Sequence, residues 1–268
     1  MFSFKDFSMH LISSGDLDPD YIFINNVCES KGWGLEEKAK WVAVKSIIYD
    51  SISELEFIIY NKSFDELKYG TERRKHKRNV ESFWSAIEEK RKEHGSYLAF
   101  FESLPTDATL AMVELKKIRG VGPWAAWKII DLINCCLGKK FDFSNLDFRV
   151  AYEYPIRGLL LVSGENENDH KNIKDDLYNK IIEKTISGLG IVNTLLAPPR
   201  KERKINIQEI ETCLCKYHSY YHNHYYLGHD IDRLHKRIGE SSYEEIRRLK
   251  CHLPKKLTLW GQDLQVVY

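Results

Sequence analysis

The sequence predicts an all-α protein, and three observations carry that prediction. Apolar residues return at spacings of three and four through most of the chain, the period of helices with one buried face. No block of alternating apolar and polar residues reads as a run of strands, so a parallel sheet is not expected. Glycine and proline fall where the periodic segments end, as helix punctuation requires.

The elements follow in order. Leu35–Ile59 carries apolar residues at Leu35, Ala39, Val42, Ala43, Ile47 and Ile48 and reads as one helix. Lys77–His94 repeats the pattern with Val80, Phe83, Trp84 and Ile87, and Gly95 closes it. Ser96–Ser103 is short and aromatic. Thr106 or Asp107 caps the next helix, which ends at Ile118. A hairpin, Arg119-Gly120-Val121-Gly122, leads to a second helix that starts at Pro123 and stops at Gly138. Asn145–Leu161 is mixed, and Glu165–Asp176 begins as a polar loop before a helix at Leu177–Ile186. Pro198-Pro199 breaks the chain ahead of the last helices, Ile205–His218 and Tyr243–Cys251. The expected division is a helical core over 1–197, with the hairpin pair at about 108–137, and a helical extension over 198–268 that packs on it.

Composition bounds the function. With 43% hydrophobic and 29% charged residues the chain is globular. Forty basic against 39 acidic residues leave a net charge of +1, which excludes a uniformly basic coat and confines any nucleic-acid surface to a patch. Two basic runs stand out: Arg73-Arg74-Lys75-His76-Lys77-Arg78 and Arg200-Lys201-Glu202-Arg203-Lys204. Either is a DNA contact or a solvated face. The six cysteines lack a disulfide rhythm, no signal peptide is legible and no apolar run approaches a membrane span, so a reducing cytoplasm and no membrane partner are expected. Neither a P-loop nor a dinucleotide fingerprint occurs.

The hairpin is the most informative feature. Glycine reaches backbone conformations closed to other residues and leaves room for a close ligand. The amides of Gly120, Val121 and Gly122, with those opening the next helix, can converge on one phosphate, while Val121 plugs between the helices. Lys116, Lys117, Arg119 and Lys128 supply cations around it. Such a grip holds DNA backbone without reading bases. A plain helical corner is the competing reading. Beyond the second hairpin helix lie two carboxylates, Asp142 and Asp147, the latter followed by Phe148 and Arg149. Each can cap a helix, or act as a general base near the gripped strand. Trp124 and Trp127 share one helix face, as core or as a base-stacking surface.

The string G-V-G-P-W-A-A, followed about twenty residues later by an Asp and a D-x-R, resembles the helix-hairpin-helix DNA glycosylases. That resemblance implies an all-helical glycosylase-like fold over the core, base flipping, and an essential Asp at Asp142 or Asp147. Trp124 and Ala125 stand where lyase-type members carry a Lys, and the four-cysteine cluster of some members is absent. The ends narrow the likeness. Gly15-Asp16-Leu17-Asp18-Pro19-Asp20-Tyr21 near the start, with Cys213-Leu214-Cys215-Lys216-Tyr217 and Tyr225-Tyr226-Leu227-Gly228-His229-Asp230-Ile231 near the end, are similar to the alpha-glutamyl/putrescinyl thymine pyrophosphorylases, or amino acid:DNA transferases, of phage thymine hypermodification. Membership implies a transferase that replaces the phosphate or pyrophosphate of a phosphorylated 5-hydroxymethyluracil in DNA with an amine from an amino acid or polyamine, in the host cytoplasm.

Such chemistry needs cations where negative charge develops and a base that keeps the amine neutral. Lys216, Arg149 and Arg119 are the candidate cradle, with Trp124 and Tyr226 beside the substrate; Asp142, Asp147 and Asp230 are the candidate bases or amine anchors. No motif demands a cofactor, although a divalent cation such as Mg2+ is compatible with a phosphorylated substrate. Cys213, Cys215, His218 and His222 include a His pair four apart, but the paired C-x-x-C spacing of a structural zinc site is missing, and no metal site is expected. The alternatives are a glycosylase that excises a base and a DNA-binding module without catalysis.

Overall fold

The structure, a computed structural model, describes residues 2–67, 77–150, 152–190 and 194–257. Among these it is all helical. Isolated bridges at Asp107–Asp142 and Leu196–Lys204 are the nearest approach to a sheet. No described helix is long and apolar enough to cross a membrane. The chain forms two compact units, neither continuous in sequence. One gathers the residues through Pro19, Leu146–Asp232 and the segment from Pro254; the other holds Asp20–Asn145 and Arg233–Leu253.

The second of these carries α2 (Pro19–Lys31), α3 (Leu35–Ile48), α4 (Ser51–Tyr60), α5 (Lys77–His94), α6 (Tyr97–Ser103), α7 (Ala108–Lys116) and α8 (Pro123–Leu132). The helix expected over Leu35–Ile59 is two. Tyr49 turns left-handed at φ 52°, and the Asp50 carboxylate accepts from the Ser53 amide at 3.0 Å to cap α4. Asp107 caps α7 in the same way, through Leu110 N at 2.8 Å. α8 runs on through a π turn at Ile133–Leu137 and stops at the left-handed Gly138. Trp41, Trp127, Phe23, Phe83 and Phe101 fill the core, so Trp127 is a packing residue.

The first unit is built on α1 (Phe4–Ser14), α9 (Glu153–Ser163), α10 (Asp175–Leu189) and α11 (Ile207–Tyr221). α12 (His229–Gly239) starts in it, and α13 (Glu244–Arg248) belongs to the other. α9 and α11 meet almost backbone to backbone at Gly158, where an added Cβ would lie 2.2 Å from Leu214 O. A capping box between Asn206 and Glu209 starts α11, and Arg203 clamps Glu209 at 2.5 and 3.0 Å. Part of the second basic run therefore stabilises a helix start.

Candidate functional site

At the hairpin, α7 gives way to a turn in which Val121 N donates to Ile118 O at 3.1 Å and Val121 is buried. Gly120 is left-handed, φ +91°, and a Cβ there would crowd Phe83 at 3.1 Å, so this glycine is required by the turn. Gly122 differs. Its φ is −83°, a Cβ would meet nothing within 4 Å, and it starts α8 with no side-chain cap. Lys116, Lys117 and Arg119 are exposed beside it, with Lys117 paired to Glu114 at 2.6 Å. A cavity of about 620 Å³ opens alongside, lined in part by Lys90, His94, Phe100, Lys117 and Arg119.

Lys128 does not belong to that face. It is 5% exposed and its ammonium sits 3.1 Å from Asp131, which also accepts from Tyr21 Oη at 2.6 Å. α8 is buried all round from Ala125 to Leu132, and a lysine there needs an internal counter-ion. Trp124 is half-buried, edge-on to Tyr49 at 5.2 Å. Arg73, Arg74 and Lys75 lie outside the described residues.

The carboxylates after the hairpin both organise loops. Asp142 is exposed; its carboxylate accepts from Ser144 N at 2.9 Å, which holds it below the usual carboxylate range. Its backbone bonds to Ala108 and Thr106 on the way into α7. Asp147 belongs to the other unit. Arg149 grips it through Nε at 2.9 Å and Nη2 at 2.6 Å, reaches Asp175 at 2.6 Å, and lies over the Tyr178 ring at 4.4 Å. A guanidinium committed to two carboxylates is not a vacant phosphate cradle.

Lys216 and Asp230 do come together, and Asp16 joins them. The ammonium donates to Asp230 Oδ2 at 2.5 Å, Asp16 O at 2.6 Å and Tyr225 Oη at 3.2 Å. Asp16, fully buried, accepts from Tyr225 Oη at 2.6 Å, Gly228 N at 2.7 Å and Ile231 N at 3.0 Å. Burial lifts the Asp16 carboxyl above its ordinary value while Lys216 opposes the rise. Burial pulls Lys216 down, but Asp230, Asp16 and Asp18 push harder, and the ammonium stays charged. This geometry argues against the leaving-group role expected for Lys216. An ammonium has three donors, all three are engaged, and the surrounding carboxylates would repel a phosphate. At the rim, His229 Nδ1 lies 3.2 Å from Asp230 Oδ1, and Tyr226 Oη donates to Asp232 at 3.0 Å.

The sequence reading missed the Lys45 group altogether and, of a second group, Glu167. In the Asp20–Asn145 unit, Lys45 is buried with Glu54 and Asp20, each at 3.3 Å. Burial pushes the Glu54 carboxyl up to about 7, whereas the two carboxylates hold Lys45 charged. A lysine inside the apolar run W-V-A-V-K-S-I-I was the available signal. In the other unit, His218 and His222 meet Glu167, while Cys213 is buried with its thiol pushed up to about 12 and Cys215 lies against Tyr152.

Comparison with known proteins places these features in a lineage. The chain is 25% identical over 263 residues to a glycinyltransferase of Pseudomonas phage PaMx11, covering 85% of this chain and 87% of that protein. It is 24% identical over 263 residues to a putrescinyltransferase of Delftia phage PhiW-14, covering 89% and 79%. The family model described as amino acid:DNA transferase matches residues 34–226, a span that takes in the hairpin, Lys216 and Tyr225, with Asp16 and Asp230 flanking it. With that match over well more than half its length, the chain belongs to the amino acid:DNA transferase family.

Proposed function

We propose that this protein hypermodifies thymine-derived bases in DNA, replacing the phosphate or pyrophosphate of a phosphorylated 5-hydroxymethyluracil with an amine from an amino acid or polyamine. The family match supports the reaction class, and the relatives named for glycine and putrescine transfer support both kinds of donor. The observation that carries the reading at the level of residues is the acidic locus around Lys216. Asp16, Asp18 and Asp230 act on one buried ammonium, an arrangement that favours a second cation over an anion. An amine donor arrives as such a cation.

The donor must lose a proton before its nitrogen can attack. His229 and Asp230 are the pair for that step. With Nδ1–H donated to Asp230, the Nε2 lone pair is the proton acceptor. The amine nitrogen then bonds to the exocyclic methylene as the carbon–oxygen bond breaks, and the phosphate departs with the electron pair. Asp142 and Asp147, tied to their loops, are not assigned the base role. The exposed hairpin with Lys116, Lys117 and Arg119 holds the DNA backbone, and the all-helical frame around it supports a glycosylase-like fold. Nucleoside mass spectrometry of phosphorylated hydroxymethyluracil DNA, incubated with the protein and a panel of amines, tests the proposal. A heavier nucleoside with released phosphate or pyrophosphate is the expected result. Free base would make the protein a glycosylase, and no product with intact DNA binding would make it a binding module.

A further inference from the structure

We infer that Glu167, His218 and His222 form a binding site for one divalent transition-metal cation of the zinc class. The two histidines lie four apart on the last turn of α11, where His222 N donates to His218 O at 3.2 Å, so their rings share one face. The ring centroids are 4.7 Å apart. The carboxylate comes from the 3-10 turn Glu167–Lys171, which Asn166 caps. His218 Nε2 is 2.7 Å from Glu167 Oε2, and His222 Nε2 is 3.0 Å from Oε1. Three ligands bound tetrahedrally at about 2.0–2.1 Å stand roughly 3.3 Å from one another; both His–Glu distances are within a few tenths of an ångström of that, and the three ligand atoms all lie within 4.8 Å of one another.

Hydrogen bonding among the three side chains does not account for the cluster. His222 Nε2 has hydrogen-bond geometry to Glu167. His218 Nε2, buried in a residue only 7% exposed, lies 2.7 Å from the carboxylate as an ion-pair contact outside hydrogen-bond alignment. Outer contacts steady the trio. His170 Nδ1 approaches the Glu167 carbonyl at 3.2 Å, and Tyr154 stands edge-on to His218 at 5.5 Å. Arg157, whose charge bears on His218, faces Glu153 at 3.9 Å.

Two imidazoles and one carboxylate suit Zn2+, Fe2+ or Co2+ and disfavour Mg2+, which prefers oxygen ligands. The side chains of His222 and Glu167 are 35% and 22% exposed, so a fourth position faces water, the pattern of an open site. The proposed amine transfer makes no use of this trio, and the test reads binding alone.

Full-length, tag-free protein stripped with chelator and titrated with Zn2+ by calorimetry is expected to bind one equivalent, and Zn2+ is expected to raise its melting temperature. The Co2+ form should show visible ligand-field bands without a thiolate charge-transfer band. Removing an outer-shell partner costs about 10–100-fold in affinity, so losing a direct ligand in His222→Asn or Glu167→Gln should cost more than about 100-fold. His222 is a half-exposed helix-end residue, and circular dichroism checks that its variant is folded. Failure of the parent protein to bind Zn2+ or Co2+ at micromolar concentration would overturn the site. So would unchanged affinity in folded His222→Asn, or a thiolate band showing that the cysteines hold the metal.

Discussion

Replacing Gly158 with alanine should be among the most damaging single-atom additions this chain can receive. The new Cβ would sit 2.2 Å from Leu214 O, 2.7 Å from its carbonyl carbon and 3.2 Å from its Cα. Even a favourable carbon–oxygen contact is about 3.3 Å or longer, so α9 and α11 must separate by roughly 1 Å. All three neighbours are backbone, and no rotamer change relieves the clash. Alanine recovers about 1 kcal/mol of helix propensity over glycine. Against this stands overpacking, about 1–3 kcal/mol. Dispersion between the helices also weakens as they part, since a gap of about 0.5–1 Å forfeits roughly a quarter to a half of the attraction. Ile156, Leu159 and Leu160 on α9 and Ile210 and Leu214 on α11 are all buried, so this second cost is spread over many atoms. The net loss is about 2–4 kcal/mol, a melting temperature lower by on the order of 5–10 °C for a chain of this size. Paired denaturant and thermal melts of Gly158→Ala measure it, with Gly122→Ala as a control because its Cβ meets nothing within 4 Å. An unchanged or raised melting temperature for Gly158→Ala would refute the close crossing of α9 and α11.

The same Gly122→Ala variant tests the hairpin: without strain in the fold, the methyl stands where a phosphate would approach, so DNA affinity should fall alike across sequences, and unchanged affinity would remove the hairpin from the DNA face. His229→Gln should lower the single-turnover transfer rate by about 10²–10⁴-fold while DNA binding holds, and an intact rate would take the base role from His229. Glu54 gives a pH signature. Burial raises its folded pKa from 4.5 to about 7, so its protonation stabilises the folded state fully below about pH 4.5, and that contribution is lost as the pH rises through 7. Relative to Glu54→Gln, the parent protein should lose up to about 3 kcal/mol between about pH 5 and 8, and parallel stability curves would show that the buried carboxyl does not titrate there.

What the sequence disclosed was local. The capped helix start at Asp107, the turn at Gly120 between α7 and α8 and the stop at Gly138 depend on residues within a few positions of one another, and all stand in the structure. The break at Tyr49-Asp50 has a local cause too, but the apolar period of α3 continues in phase across it and conceals the cap. Lys128 misled because nearness to the hairpin in sequence is not exposure; the signal that mattered was the apolar run on both sides of it. Clusters assembled from distant segments were only half legible. The motifs at the two ends stood out singly, yet that Asp16 anchors the turn at Gly228 is a fact of tertiary structure, more than two hundred residues apart in sequence. Glu167 could not be read at all, since nothing near it marks it for His218 and His222.

The near balance of charge takes on meaning from these pairings. In the sequence Lys128 and the run that holds Arg203 read as cations for DNA, and Arg149 and Lys216 as a cradle for the leaving group, while Lys45 went unread. Each is instead matched to carboxylates within its own unit. Removing one partner of a buried pair leaves an uncompensated charge, so Lys45, Lys128 and Lys216 cannot be withdrawn to meet a ligand without cost to the fold. Non-specific affinity for DNA grows with the number of phosphates neutralised. With the buried cations committed internally, the proposed DNA contact falls to exposed ones such as Lys116 and Arg119 beside the hairpin turn. The acidic surroundings of Lys216 follow the same logic in reverse. One ammonium among several carboxylates leaves negative potential over, which is why the proposed reaction puts the cationic amine there rather than the nucleic acid.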